Sequence, residues 1–330
     1  MNVLISGYYG FGNLGDEAIL SGLVTGLEAR GHRLTVLSNN PEKTRALHGV
    51  EAVTRYKGLP SALVQCDAVI SGGGGLLQDK TSARSLRYYL GILRLAKALG
   101  KRCVVYGQSV GPLSPTGART VRRTLKGIPV AVRDSASRRL LASLDIDAAL
   151  VADAALLLPE PRGTTTMSLT PPVLLIPRGG YPDITEALVD LAKALRVKGV
   201  PLAGMAIQPV QDDAPLKRLK EVVPELALWR ADTPSAALST VAGATHVVSA
   251  RLHGLIFAAA ARRPFSGVVY DPKVAAFAEE AGASAYDLPL KLDEVVEAVT
   301  ATPSESTADV DTLRERSAQG LEWLDKVLRG

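Results

Sequence analysis

The chain has 330 residues, 47% of them hydrophobic and 22% charged, with a formal net charge of +5. That length exceeds what one hydrophobic core usually fills, so two domains are expected of an ordinary globular protein. No apolar run reaches the roughly 18 residues needed to cross a bilayer, and dense Lys/Arg runs of the nucleic-acid type are missing. The modest positive charge suits an anionic small molecule, or loose contact with an anionic membrane surface.

Residues Asn2 to Ser6 read as a strand, without the basic start and small-residue cleavage site of a secretory signal, so a cytoplasmic protein is expected. Strand-like and helical patterns then alternate. Val3–Ile5 precedes a helix over Asp16–Arg30, and Leu34–Leu37 follows. Asp67–Ser71, a helix near Ser82–Leu99, Cys103–Tyr106 and Pro129–Val132 continue the series. Such alternation predicts parallel strands with helices on both faces, an α/β doubly wound domain over 1–158.

Residues 159–172 lose apolar periodicity and collect Pro, Gly and Thr, which predicts a linker. Alternation restarts with strands near Val173–Ile176, Leu202–Ala206, Leu226–Trp229, His246–Ser249 and Phe265–Val269, a second Rossmann-like domain over 173–302. The segment 303–330 ends in a helix, about Ala308–Leu328, offering Leu313, Leu321, Leu324 and Leu328 to the body of the protein. Two such domains predict a ligand cleft between the carboxyl edges of their sheets, the GT-B-like arrangement. Cys66 and Cys103, beside predicted strands, read as inert buried thiols.

After the first strand comes Gly7-Tyr8-Tyr9-Gly10-Phe11-Gly12-Asn13-Leu14-Gly15-Asp16-Glu17, which contains GxGxxG. Two details argue against a dinucleotide. The second strand ends Leu37-Ser38-Asn39-Asn40, with no acidic residue for a ribose, and Asp16 and Glu17 repel a pyrophosphate from the helix start. A carboxylate there suits sugar hydroxyls instead, with Asp16 as a base and Tyr8 and Asn13 shaping the pocket. Ser71-Gly72-Gly73-Gly74-Gly75 offers close backbone approach, with Gln78 just beyond it; Gln108 ends the next strand as a polar reader, both glutamines being expected to bind the acceptor, and Arg133 ends another. Arg133 is placed to pair with a ligand or a neighbouring carboxylate. Asp145 and Asp147 form a DxD in a helix-to-strand connection, read as a solvated turn, and no metal-ligand motif is present.

In the second half Arg178 follows Val173–Ile176, and Gln208 and Asp212 follow the next strand. Arg251 and His253 sit in Ser249-Ala-Arg-Leu-His-Gly254 at a strand-to-helix junction, and Lys273 lies twenty positions past His253, one helix plus one strand of a βαβ unit. An edge carrying Arg178, Gln208, Arg251, His253 and Lys273 is expected to be strongly electropositive and to hold a carboxylate and a phosphate together.

Gly10-Phe-Gly-Asn-Leu-Gly-Asp16-Glu, Ser71-Gly-Gly-Gly-Gly-Leu, Gly107-Gln-Ser-Val-Gly-Pro112, Arg133-Asp-Ser, Ser249-Ala-Arg-Leu-His253-Gly and Tyr270-Asp-Pro-Lys273 together resemble the polysaccharide pyruvyl transferase family, in its secondary cell-wall polymer (S-layer anchoring) branch. Ser109 stands where many relatives carry glycine. The resemblance implies a two-domain GT-B-like fold, phosphoenolpyruvate as donor, and a lipid-linked glycan containing N-acetylmannosamine as acceptor at the inner face of the cytoplasmic membrane, with no cofactor. It maps His253 and Lys273 to donor-binding or catalytic positions, and Asp16 and Arg133 to positions needed for activity. A glycosyltransferase using a nucleotide sugar is the alternative, since its architecture is the same; it would want an acidic residue at a ribose pocket of the second domain.

Overall fold

The computed structural model describes residues 1–80, 82–160, 170–301 and 308–330. Of the expected linker 159–172, residues 161–169 lie outside the described residues, and so do 302–307, where the sequence places the boundary before the last helix. The chain divides into two compact units: Met1–Phe11, Asp16–Leu157 and Arg314–Gly330 form the first, and Gly12–Gly15 with Leu158–Leu313 form the second.

The first unit is built on strands β1 (Asn2–Tyr9), β2 (Arg33–Ser38), β3 (Glu51–Thr54), β4 (Ala68–Leu77), β5 (Arg102–Val110), β6 (Val130–Val132) and β7 (Ala149–Leu150). They are parallel, in the order β3-β2-β1-β4-β5-β6-β7. The second unit contains β8 (Val173–Ile176), β9 (Leu202–Met205), β10 (Ala227–Trp229), β11 (His246–Ser249), β12 (Phe265–Val268) and β13 (Ser284–Tyr286), parallel in the order β10-β9-β8-β11-β12-β13. Central strands are apolar on both faces, as Val3-Leu4-Ile5, Val69-Ile70 and Val247-Val248 show, because helices cover both sides of a parallel sheet.

Sequence punctuation explains where the helices start. Asn40-Pro41, Ser114-Pro115, Thr233-Pro234 and Asp271-Pro272 each place a side-chain acceptor at the N-cap and a proline at the first helical position. The cap oxygen satisfies a backbone N–H of the first turn, worth about 1 kcal/mol, and proline has no N–H to lose there.

Two departures from the sequence reading concern the glycine-rich segments. β4 runs on through Ser71–Gly75 to Leu77, and β5 continues through Gln108 to Val110, so both motifs lie inside strands and not in loops after them. Gly73 and Gly74 take φ of +67° and +81°, and the β4–β5 register shifts between Gly74 and Leu77. Glycine accepts these angles without strain, so the strand passes through a bulge instead of ending.

The final helix, Ala308–Arg329, buries Leu313, Leu321, Leu324 and Leu328 as its spacing predicts. Leu321 lies against Gly26, where even a Cβ would meet its Cδ1 at 2.2 Å. Trp323 stacks on Tyr106, and Asp325 pairs with His32 at 2.7 Å. Cys66 and Cys103 are buried free thiols in the core on the opposite face of the sheet. Among the described residues, no helix is long and apolar enough to cross a membrane.

Candidate functional site

In each sheet the chain starts in the middle, runs to one side, and returns to the other. Loops at the carboxyl ends diverge at that reversal, between β1 and β4 in the first unit and between β8 and β11 in the second, leaving a crevice where open α/β sheets bind ligands. Asp16 follows β1 at the first of these points, and Arg178 and Arg251 follow β8 and β11 at the second.

In the first unit Asp16 lies buried in the first turn of the helix Leu14–Glu28. A Cβ on Gly74 would come within 2.9 Å of its Oδ1, so the bulge in β4 supplies the space the carboxylate occupies. The neighbouring carboxylate is held differently: Glu17 accepts a hydrogen bond from the Gly10 N–H at 2.8 Å and pairs with His48 Nε2 at 2.9 Å. Glu17 therefore closes the glycine loop. Tyr9, fully buried, donates to the Gly72 carbonyl at 2.9 Å; burial first, then the charges of Asp16 and Glu17, push its hydroxyl well above the usual phenol range.

Tyr8 stacks on Phe11 with ring centroids 4.0 Å apart. Gln78 follows directly on β4 and is partly buried. Gln108 is placed otherwise than expected: with zero exposure it sits within β5, in register with Gly74, and donates to Ser71 Oγ at 2.8 Å. Its Oε1 is buried and has no hydrogen-bond partner among the described residues. Arg133 finds a carboxylate, as one branch of the sequence reading allowed: it forms a buried ion pair with Asp153, and its Nε donates to Ser109 Oγ at 2.9 Å. Serine at 109 thus has a physical role, because glycine would leave that N–H without its acceptor. Asp145 of the DxD is exposed and pairs with Arg122 on the surface, as a solvated turn predicts.

The second unit carries a buried polar network. Asp212, with no exposed surface, accepts from the backbone N–H groups of Gly179 (3.1 Å), Ile207 (3.2 Å) and Gln208 (2.9 Å) and from Arg251, whose Nε is 3.1 Å away. Arg251 also reaches Gln211 Oε1 at 3.2 Å and Gln208 Oε1 at 3.4 Å. Burial pulls the Arg251 guanidinium below its ordinary value, and the Asp212 charge opposes that shift. Arg178 shares Gln211, donating to the same Oε1 at 2.6 Å. Its guanidinium lies 5.9 and 5.8 Å from the ring centroids of Tyr181 and Tyr270, and its Nε is buried with no hydrogen-bond partner among the described residues. Gly179 cannot be larger, since a Cβ would come within 1.8 Å of the Gln211 carbonyl.

Lys273 opens the helix Pro272–Glu280, its Nζ 3.4 Å from Asp271 Oδ2. This edge is less electropositive than the sequence suggested. Two of its three cations, Arg251 and Lys273, face carboxylates. His253 lies half-buried in the first turn of the helix Leu252–Ala260. Within the same unit Gly15 packs against it: a Cβ there would sit 2.1 Å from His253 Nδ1. Asn13 holds that short segment by accepting from the Gly15 N–H at 3.1 Å, and the Leu14 N–H donates to the Ile207 carbonyl at 3.0 Å.

Sequence reasoning missed Gln211, Tyr181 and the pairing of Asp212 with Arg251. The available signal was Gln208-Pro-Val-Gln-Asp212, a helix start whose acidic residue reaches back to the N-cap amide. Among the described residues, no group of three His, Cys, Asp or Glu stands close enough to hold a metal ion.

The chain is similar in fold to several solved structures. The Anabaena protein Alr3699/HepE, in complex with UDP and glucose, shares 11% identity at a TM-score of 0.69, covering 100% of this chain and 99% of that one. UDP-GlcNAc 2-epimerase from Neisseria meningitidis, bound to UDP-GlcNAc, shares 13% at 0.63, covering 99% of each chain. A glycosyltransferase from Rickettsia africae shares 12% at 0.58, covering 99% and 96%. At such identities the likeness shows the fold, two Rossmann-like α/β units of the GT-B class. No curated protein matches the sequence. The polysaccharide pyruvyl transferase family matches residues 13–272, and the chain belongs to that family.

Proposed function

We propose that this transferase moves the pyruvyl group of phosphoenolpyruvate onto two hydroxyls of an N-acetylmannosamine-type residue in a lipid-linked cell-wall glycan, closing a cyclic ketal and releasing phosphate. The observation that carries the reading is the second unit's switch point: Arg178 and Arg251 held through one glutamine, with His253 on the same strand end as Arg251 and Lys273 on the next. A donor with a carboxylate and a phosphate needs separate cations on one rigid edge. Arg251, fixed by Asp212, acts as the anchor that sets Gln208, Gln211 and Arg178; Arg178 and Lys273 then meet the anionic groups.

The chemistry sets the other roles. Protonation of the methylene carbon of phosphoenolpyruvate makes the adjacent carbon electrophilic, and a sugar hydroxyl adds to it. The carbon–oxygen bond to phosphate breaks, inorganic phosphate leaves, and a second hydroxyl closes the ketal with loss of its proton. His253 is the general acid or the ligand of the leaving phosphate, and Asp16 is the base toward the acceptor. Tyr8, Asn13 and Gln78 serve the acceptor, Gln108, in register with Gly74 on the neighbouring strand, supports them, and Arg133 fixes the end of β6 through Asp153.

The test is incubation with phosphoenolpyruvate and N-acetylmannosaminyl acceptors, following inorganic phosphate and product mass. Phosphate release with a ketal-mass product that disappears in His253→Ala and in Lys273→Ala, both still folded, supports the reading. Full activity in either variant, or stabilisation by a nucleotide sugar and not by phosphoenolpyruvate, refutes it.

A further inference from the structure

The net charge of +5 conceals an uneven distribution. Residues 55–126 carry thirteen Lys/Arg against two Asp/Glu, a surplus of eleven, so the rest of the chain, with 25 against 31, is net −6. That segment supplies three helices, Leu59–Gln65, Ala83–Ala98 and Pro115–Leu125, which share one apolar core cluster and so cover the same face of the first sheet. Their carboxyl ends are tied together: Lys97 Nζ donates to the Lys126 carbonyl at 2.8 Å, and Lys101 Nζ to the Val64 carbonyl at 3.0 Å.

This corner exposes aliphatic side chains. Val64 is 70% exposed, and Leu95 and Leu99, one helical turn apart, are 53% each. Exposed cations interleave with them, namely Arg94, Lys97, Arg123 and Lys126. Aliphatic side chains set among basic ones suit insertion between lipid headgroups, with the cations drawn to anionic phosphates. A nucleic acid would ask for stacking aromatics instead, and a second copy joined face to face would set like charges against each other.

We propose that this face of the first unit docks on an anionic lipid bilayer through Leu95, Leu99 and Val64, ringed by Arg94, Arg123 and Lys126. The inference stands independently of the reaction assigned above, since it rests on surface residues outside both switch points. For a transferase whose acceptor is lipid-linked, such a surface brings the protein to the plane where the acceptor resides.

The experiment is vesicle co-sedimentation of the full chain with phosphatidylcholine alone and with phosphatidylcholine containing 40% phosphatidylglycerol, at low and high salt. Expected is binding to the anionic vesicles that weakens as salt is raised, with little on the neutral ones. Each charge lost from the surface weakens partitioning roughly fivefold, so R94E with R123E should reduce it about thirtyfold or more. L95S with L99S should reduce it about tenfold while circular dichroism stays unchanged, since these side chains already face solvent. Equal binding to both vesicle types, or binding indifferent to both variant pairs, overturns the proposal. So does retention of an oligonucleotide without vesicle binding, or a dimer abolished by the leucine changes.

Discussion

Asp212→Asn should unfold the second unit at a markedly lower temperature, although the change removes no volume. Asp212 is fully buried and receives three backbone N–H groups as well as the Arg251 guanidinium. Asparagine retains one carbonyl oxygen for the amides but leaves a cation in the interior with no countercharge. Breaking a buried pair in this way costs about 3–5 kcal/mol. For a unit of this size, each kcal/mol lowers Tm by roughly 2–4 °C, so a drop of about 6–20 °C is expected. Arg251→Met should cost a comparable amount, because it strands the carboxylate. Asp212→Asn combined with Arg251→Met should be more stable than the sum of the two losses predicts, by about 2–3 kcal/mol, because both charges leave together. Scanning calorimetry on the four proteins reads this cycle directly. Strict additivity, or a loss under 1 kcal/mol in either single variant, would show that the pair is not what holds this edge together.

Four further predictions separate support from chemistry. Arg178→Ala should leave Tm within about 1 °C yet raise the KM for phosphoenolpyruvate roughly tenfold to a hundredfold, the value of a hydrogen bond to a charged group; an unchanged KM would remove Arg178 from the donor site. Gly15→Ala should displace the His253 ring, which lies 2.1 Å from the new Cβ, and lower kcat while the circular dichroism spectrum is preserved; full activity would show that the ring position is immaterial. Gly74→Ala meets both a φ of +81° and Asp16 Oδ1, so it should cost stability and activity together, read as parallel losses of Tm and kcat. Burial pulls His246, bonded to Ser266 at 2.9 Å, down to about 4. Its folded value lies below the unfolded value of about 6.5, so the unfolded chain binds the extra proton between those pH values. Urea midpoints should therefore be flat above pH 6.5 and fall toward pH 4, by about 3 kcal/mol from this group, and His246→Gln should flatten that slope.

The parallel α/β architecture was legible because buried strands and capped helices leave strong local marks. Val173–Ile176 and His246–Ser249 match their strands residue for residue, and the helix starts at Ser114-Pro115 and Asp271-Pro272 announce themselves. Short edge strands such as Ala149–Leu150 and Ser284–Tyr286 are half exposed and carry no run of apolar residues, so periodicity passes over them. The glycine segments misled for a different reason. Four consecutive glycines look like a loop, yet the hydrogen-bond ladder to β5 continues past them, and only the partner strand could reveal that. The candidate cations and Asp212 were visible one by one, whereas the pairing of Asp212 with Arg251 was not, since the two are 39 positions apart.

The adjacent carboxylates of Asp16 and Glu17 illustrate how the fold assigns roles that composition cannot. Both occupy the first turn of one helix, where either charge is stabilised by the helix dipole. Glu17 is bound by the Gly10 N–H and by His48, whose other ring nitrogen is held by Ser21 at 3.2 Å, so its oxygens are committed to keeping the loop after β1 in place. Asp16 instead faces the bulge in β4, where only glycine leaves it room. In the proposed reading the base is Asp16, which opens its helix directly after β1, beside the reversal between β1 and β4. On that reading, replacing Glu17 by Gln should lower stability with kcat largely retained, whereas Asp16→Asn should abolish turnover while the protein stays folded. The opposite pattern in calorimetry and phosphate release would transfer the base to Glu17 and undo the assignment.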